Sequence, residues 1–134
     1  MKSEKCGSLS KNSVGIFERR MRMNQLSVIY ENEKEWIFSL ADEDLEIKFS
    51  LFNKPNIGKE GTIFLMESRL MACYYELKNG VFFPRRGGVP EEFILKTNAL
   101  FFELFRQLKK HPTYRLKLLP VFDEECRKLW NKIS

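Results

Sequence analysis

The sequence predicts an α+β fold: a single, mainly antiparallel sheet of about five to seven strands, packed by one long central helix (about 90–110) and a short C-terminal helix. Three observations carry this. Apolar residues recur at helical spacing between Pro90 and Lys110. From Leu26 to Leu77 the pattern switches to a period of two. The chain then closes on a capped amphipathic segment, Asp123 to Ile133.

The central helix has both of its ends written into it. Pro90 suits a first turn, whose N–H groups lack intrahelical partners, and Glu91 and Glu92 place negative charge at the positive end of the dipole. Lys109, Lys110 and His111 crowd the other end, where His111 is expected to cap the last carbonyls before Pro112 stops the helix. Phe93, Leu100, Leu104 and Leu108 share one side with Ile94, Phe101 and Phe105 beside them. A second, narrower stripe of Leu95, Ala99 and Phe102 lies roughly opposite. Apolar on two sides, the helix is expected to be sandwiched.

Ahead of it, LSVIYEN, EWIFSLA and LEIKFSLF read as three strands. The third alternates cleanly, with Leu45, Ile47, Phe49 and Leu51 set against Glu46, Lys48 and Ser50. Asp42, Glu43 and Asp44 form a turn, since the glycine and distal glutamate of a hard-cation loop are missing. Asn53–Gly61 is a turn-rich loop without phosphate-loop spacing. Thr62–Met66 and Arg69–Leu77 resume strand character around a break at Glu67 and Ser68. Asn79-Gly80 before VFF is a hairpin signal, because both residues tolerate the positive φ of a type I′ turn. Beyond the helix, Tyr114–Val121 reads as a further strand with Tyr114, Leu116 and Leu118 on one face. Asp123 then caps a helix carrying Cys126, Leu129, Trp130 and Ile133. Residues 1–13 read as a disordered tail, 14–134 as one domain, and Val14–Leu26 as a short basic helix.

Composition narrows the function classes. With 134 residues, 43% of them hydrophobic and 12 of them Phe, the chain can bury a real core. It has no apolar run long enough to cross a membrane as a helix and no secretory leader, so a cytoplasmic protein is expected. Cys6, Cys73 and Cys126 are scattered and suit a reducing compartment. The net charge of +5 is unevenly spread. Residues 31–46 hold seven acidic side chains against Lys34, a local −6 that leaves +11 elsewhere. Such bipolar surfaces favour protein partners, a second copy included, over a continuous nucleic-acid field.

No catalytic set emerges. His111 is the only histidine and is explained as a cap; no His or Cys spacing suits a metal, and no nucleophile motif is present. No cofactor is expected. One candidate anion site remains at Arg85, Arg86, Gly87 and Gly88, where two guanidiniums and flexible backbone precede a helix N-terminus. Arg19, Arg20 and Arg22, together with Arg85 and Arg86, could also contact nucleic acid, with Tyr30, Trp36, Tyr74, Tyr75, Phe82 and Phe83 as stacking aromatics. The leading expectation is a non-catalytic binding module that self-associates or serves as an inhibitor, immunity-type or assembly subunit. Its candidate interaction surface is Leu95, Ala99 and Phe102, with Tyr75 adding apolar area.

The order strand, arginine-glycine turn, long helix, strand, short helix also resembles the second half of the GNAT N-acetyltransferases. The run from Arg85 to Pro90 matches that family's pyrophosphate loop at Arg85 and Gly88. Cys126–Lys132 is similar to its closing helix, with Trp130 standing where the family often carries a tyrosine acid. The resemblance implies acyl-CoA as cofactor and an anion loop at Arg85–Gly88.

Overall fold

The computed structural model describes residues 25–52 and 61–133. The expected tail, residues 14–24 of the basic helix expected over Val14–Leu26, and most of the 53–61 loop lie outside the described residues; Gln25 and Leu26 are described and are not helical. Six strands, β1 (Ser27–Glu31), β2 (Glu35–Ala41), β3 (Leu45–Phe52), β4 (Thr62–Ser68), β5 (Ala72–Lys78) and β6 (Val81–Pro84), form one sheet in the order of the chain. Every neighbouring pair is antiparallel. The long helix α1 (Glu91–Lys110) follows, then a single turn α2 (Tyr114–Lys117), a 3-10 turn (Leu119–Val121) and the closing helix α3 (Glu124–Lys132).

Local chemistry explains each reversal. The Asn32 carboxamide oxygen accepts from the N–H groups of Lys34 and Glu35, and the Asp42 carboxylate from those of Asp44 and Leu45. The Ser68 hydroxyl does the same for Leu70 and Met71. Each short polar side chain thus stands in for a backbone turn acceptor. The break expected at Glu67 and Ser68 therefore falls at Arg69–Met71, and β5 starts at Ala72. Asn79 and Gly80 both take positive φ, 55° and 80°, as the type I′ hairpin requires.

Register sorts the side chains. Trp36, Phe38 and Leu40 lie opposite Leu51, Phe49 and Ile47, which in turn face Phe64 and Met66 on β4. Together with Cys73, Tyr75, Leu77 and Phe82 these form the inner face, buried under α1 and the C-terminal turns. Ring contacts knit the layers: Phe49 meets Phe64 and Phe105, and Phe101 stacks on Phe82 at 4.6 Å between centroids. Each Å² of apolar area this aromatic seam removes from water stabilises the fold by about 25 cal/mol.

Helix α1 ties down the backbone toward both ends of the sheet. Asn98 grips the edge strand β6: its carboxamide oxygen accepts from Phe82 N–H at 2.8 Å and its NH2 donates to Phe82 C=O at 2.8 Å. Nine residues later, the Gln107 carboxamide accepts from Leu26 N–H at 2.8 Å, just before β1. Lys109 reaches the other way and donates to the carbonyls of Trp130 and Ile133, capping α3 from outside. Asp123 accepts from Cys126 N–H at 2.9 Å, the N-cap expected.

One expectation is corrected. Tyr114–Val121 is not a strand. Tyr114 and Leu118 are buried one helical turn apart while Leu116 is 72% exposed, and Leu118 N–H bonds Tyr114 C=O at 3.1 Å. No sheet edge is offered to this segment, because it packs on the helix side of the sheet, where an i, i+4 pair fills the space. The Tyr114 hydroxyl donates to the Glu31 carboxylate at 2.7 Å. His111 caps α1 through its backbone, whose N–H donates to the carbonyls of Gln107 at 3.1 Å and Leu108 at 3.2 Å, and not through its imidazole, whose Nδ1 accepts from Thr113 N–H at 3.2 Å and whose ring packs on Tyr114.

Candidate interaction surface

Because α1 buries Thr97, Phe101, Leu104 and Leu108 on one side, simple helical geometry turns Leu95 and Ala99 away from the sheet. Leu95 is 65% exposed, Ala99 is exposed, and Phe102 is half-buried with its ring edge-on to Phe82 at 5.8 Å. Among the described residues the helix is therefore covered on one side only, not sandwiched. A two-sided apolar pattern has here an inner stripe that builds the core and an outer one that meets solvent. Tyr75 does not join that surface: it points inward and is 3% exposed. Burial pushes its pKa up, the neighbouring Thr97 hydroxyl pulling the other way. The Thr97 hydroxyl itself donates to Phe93 C=O, and among the described residues the Tyr75 oxygen has no hydrogen-bond partner.

Beside the first turns of α1 runs a groove of about 440 Å³ between two hairpin turns. Glu43 and Asp44 form one bank, Ser68, Arg69 and Leu70 the other, and Glu92, Phe93 and Lys96 the helix side. Lys96 pairs with Asp44, whose carboxylate raises the lysine pKa. Leu70, at the rim, is 82% exposed. Part of the acidic 31–46 region thus stands next to the helix whose outer stripe is apolar.

The arginine-glycine turn is spread out. Arg85 N–H bonds Tyr74 C=O at 2.9 Å, which prolongs the β5–β6 ladder by one residue. The Arg85 side chain lines a cleft of about 310 Å³ with Glu76, Asp123 and Glu125, an acidic surrounding that opposes anion binding. That cleft lies where the β4–β5 ladder stops at Phe64 and Tyr75, although β4 begins at Thr62 and β5 continues to Lys78. Arg86, Gly87 and Gly88 are exposed, and Gly88 needs its glycine, with φ at 82°. At the helix start, Pro90 has no N–H to give, and Phe93 and Ile94 donate to Pro90 C=O.

Of the six aromatics considered for base stacking, Trp36, Tyr75 and Phe82 are core residues; Tyr30, Tyr74 and Phe83 are exposed. Arg19, Arg20 and Arg22 lie outside the described residues. Cys73 and Cys126 are buried free thiols, and burial drives the Cys126 pKa well up, so Cys126 is not poised as a nucleophile. Among the described residues no group of His, Cys, Asp or Glu could hold a metal ion, and no helix is long and apolar enough to cross a membrane.

The outer face of the sheet escaped the sequence reading. Ile37, Ile63 and Leu65 lie there, half-buried, with Tyr74 and Phe83 exposed beside them. The signal was available: TIFL on β4 and VFF on β6 are apolar at both parities, the mark of a strand with business on both faces.

No family model, curated protein or solved structure matches the chain. The order of elements behind the acetyltransferase resemblance is not kept, because the segment after α1 is helical.

Proposed function

We propose that this protein is a non-catalytic binding module that associates with another protein, a second copy of itself included. One observation carries the reading: the outward Leu95, Ala99 and Phe102 stripe of α1 presents apolar surface next to the Leu70 and Phe93 groove. In this reading Leu95 and Phe102 anchor the contact by burying apolar area, while the Glu43, Asp44 and Lys96 charges at the groove set its register. Two free, buried thiols suit a reducing compartment, and we place the protein in the cytoplasm.

Leu95→Glu is the sharper probe, since Phe102 also packs on Phe82. A glutamate at a site two-thirds open to water leaves the monomer folded and weakens the complex at least tenfold, read as the change in Kd by sedimentation or calorimetry. An unchanged Kd would remove the stripe from the interface. Nucleic-acid binding is the second reading, supported by exposed Tyr30, Tyr74 and Phe83. It predicts affinity that falls steeply with salt and with Arg85→Ala and Arg86→Ala together.

A further inference from the structure

The outward face of α1 carries more than an apolar stripe. Glu92, Leu95, Ala99, Phe102 and Arg106 follow one another at intervals of three, four, three and four, the seam of a helix that packs against another helix. At 3.6 residues per turn all five lie within about 60° of Ala99 around the helix axis. Lys96 and Glu103 fall in the same arc, on the flank away from Leu95 and Phe102. The buried residues of α1 all lie outside it. Glu92, Leu95, Ala99 and Arg106 are exposed, and Lys96, Phe102 and Glu103 are partly so.

This face is antisymmetric in charge about Ala99. Seven residues before it stands Glu92 and seven after it Arg106; three before it stands Lys96 and four after it Glu103. The apolar pair is placed in the same way, with Leu95 four before and Phe102 three after. A two-fold axis perpendicular to two antiparallel helices at Ala99 brings together residues of the same flank at mirrored positions along the helix. Each acidic side chain then meets a basic one, each large apolar side chain meets another, and no like charges are opposed. With 1.5 Å of rise per residue, Lys96 falls within about 2 Å in height of Glu103 of the second copy, and Leu95 within the same distance of Phe102. A residue as small as Ala99 at the crossing lets the two axes approach to about 8 Å. A foreign helix would need this same order of charges in reverse, and this chain already supplies it.

We infer that the partner of this face is a second copy of the chain, the two α1 helices packing antiparallel across a two-fold axis at Ala99. Leu95 of each copy packs on Phe102 of the other, Lys96 pairs with Glu103 and Glu92 with Arg106, each of these contacts being made twice. The pairing rests on the proposed role of the α1 stripe and goes further by naming its occupant and register. Within one chain Lys96 already holds Asp44, and Arg106 holds Glu103. Such exposed pairs are worth little, and an ammonium with three N–H donors can serve Asp44 and the second copy's carboxylate together. From Glu92 to Arg106 the contact extends about 22 Å. That is narrower than the interface of a permanent dimer, so the association is reversible and in the micromolar range or weaker.

Sedimentation equilibrium of the full chain and its variants tests the pairing. The wild type is expected to dimerise. Lys96→Glu or Glu103→Lys, each alone, opposes like charges twice and should weaken dimerisation at least about tenfold. Mixed one to one, the two variants should recover affinity to within about threefold of wild type, because every reversed charge then meets an opposite one. An unchanged Tm for each variant separates this from misfolding. In a Cys6→Ser background, which leaves the buried Cys73 and Cys126, Ala99→Cys should form an intermolecular disulfide on oxidation. Leu95→Cys, whose two copies stand about 12 Å apart in height, should not. A chain that stays monomeric up to millimolar concentration would overturn self-pairing while leaving the stripe open to a different protein. A dimer untouched by both single charge reversals, or one that Ala99→Cys does not crosslink, would overturn the pairing at Ala99. A dimer also untouched by Leu95→Glu would remove the stripe itself from the interface.

Discussion

Asn98 offers the most direct test of how α1 is joined to the sheet. Replacing it with alanine removes two hydrogen bonds to the Phe82 backbone, each 2.8 Å, and one to Ile94 C=O at 2.9 Å. The third matters little, because a helical carbonyl retains its backbone partner four residues on. The first two are different. Phe82 is fully buried and β6 is an edge strand, so its outward N–H and C=O lose the groups that satisfy them. At about 1 kcal/mol net per bond, with more where a buried group is left unpaired, the loss is about 2–3 kcal/mol. Alanine returns roughly 0.5 kcal/mol through its better helix propensity. The expected cost is therefore about 2 kcal/mol, a factor of roughly 30 in the folded-to-unfolded ratio. Urea melts followed by the fluorescence of the buried Trp36 and Trp130 measure it directly, and hydrogen exchange at the Phe82 amide reads the same contact locally. An unfolding midpoint within about 0.5 kcal/mol of wild type, with Phe82 still protected, would refute the clamp. The variant also uncovers an edge, so its tendency to associate should rise with concentration.

The other predictions follow from single groups. Tyr75→Phe should stabilise the fold by about 1 kcal/mol, because it deletes a buried hydroxyl that has no partner among the described residues; a lower Tm would show instead that Thr97 satisfies it. The Tyr114 phenol is pushed up to about 12, first by burial and then by its hydrogen bond to Glu31. A folded value above the unfolded 10.0 means its stabilising share is complete below pH 10 and is lost as pH rises through about 12. Alkaline titration of stability should thus be steeper in wild type than in Tyr114→Phe, and equal slopes would contradict the Tyr114–Glu31 contact.

Helix α1 could be read almost to the residue, since Pro90, the paired glutamates and the terminal lysines are local signals that act wherever the helix lies. The Asn79-Gly80 hairpin and the Asp123 cap were legible for the same reason: backbone conformation and capping are settled within four residues. Tyr114–Val121 carries no local signal that separates a helical turn from a short strand, and only the neighbouring surface decides which period is used. For the candidate anion residues the string left side-chain placement open; the structure carries Arg85 to a cleft with Glu76 and Glu125 and leaves Arg86 to solvent. Side-chain direction at a turn depends on where the ladder ends.

By itself, then, the sequence determined the kind of each long element, the hairpin at Asn79-Gly80 and the stock of aromatic residues for the core, all governed by short-range sterics and periodicity. Only the tertiary structure decided which apolar stripe of α1 faces water, that Tyr75 goes inward while Tyr74 goes out, and that Asn98 and Gln107 tie the helix to β6 and to the approach to β1. Those outcomes depend on which surfaces meet, and burial is a property of pairs of surfaces that no single segment contains.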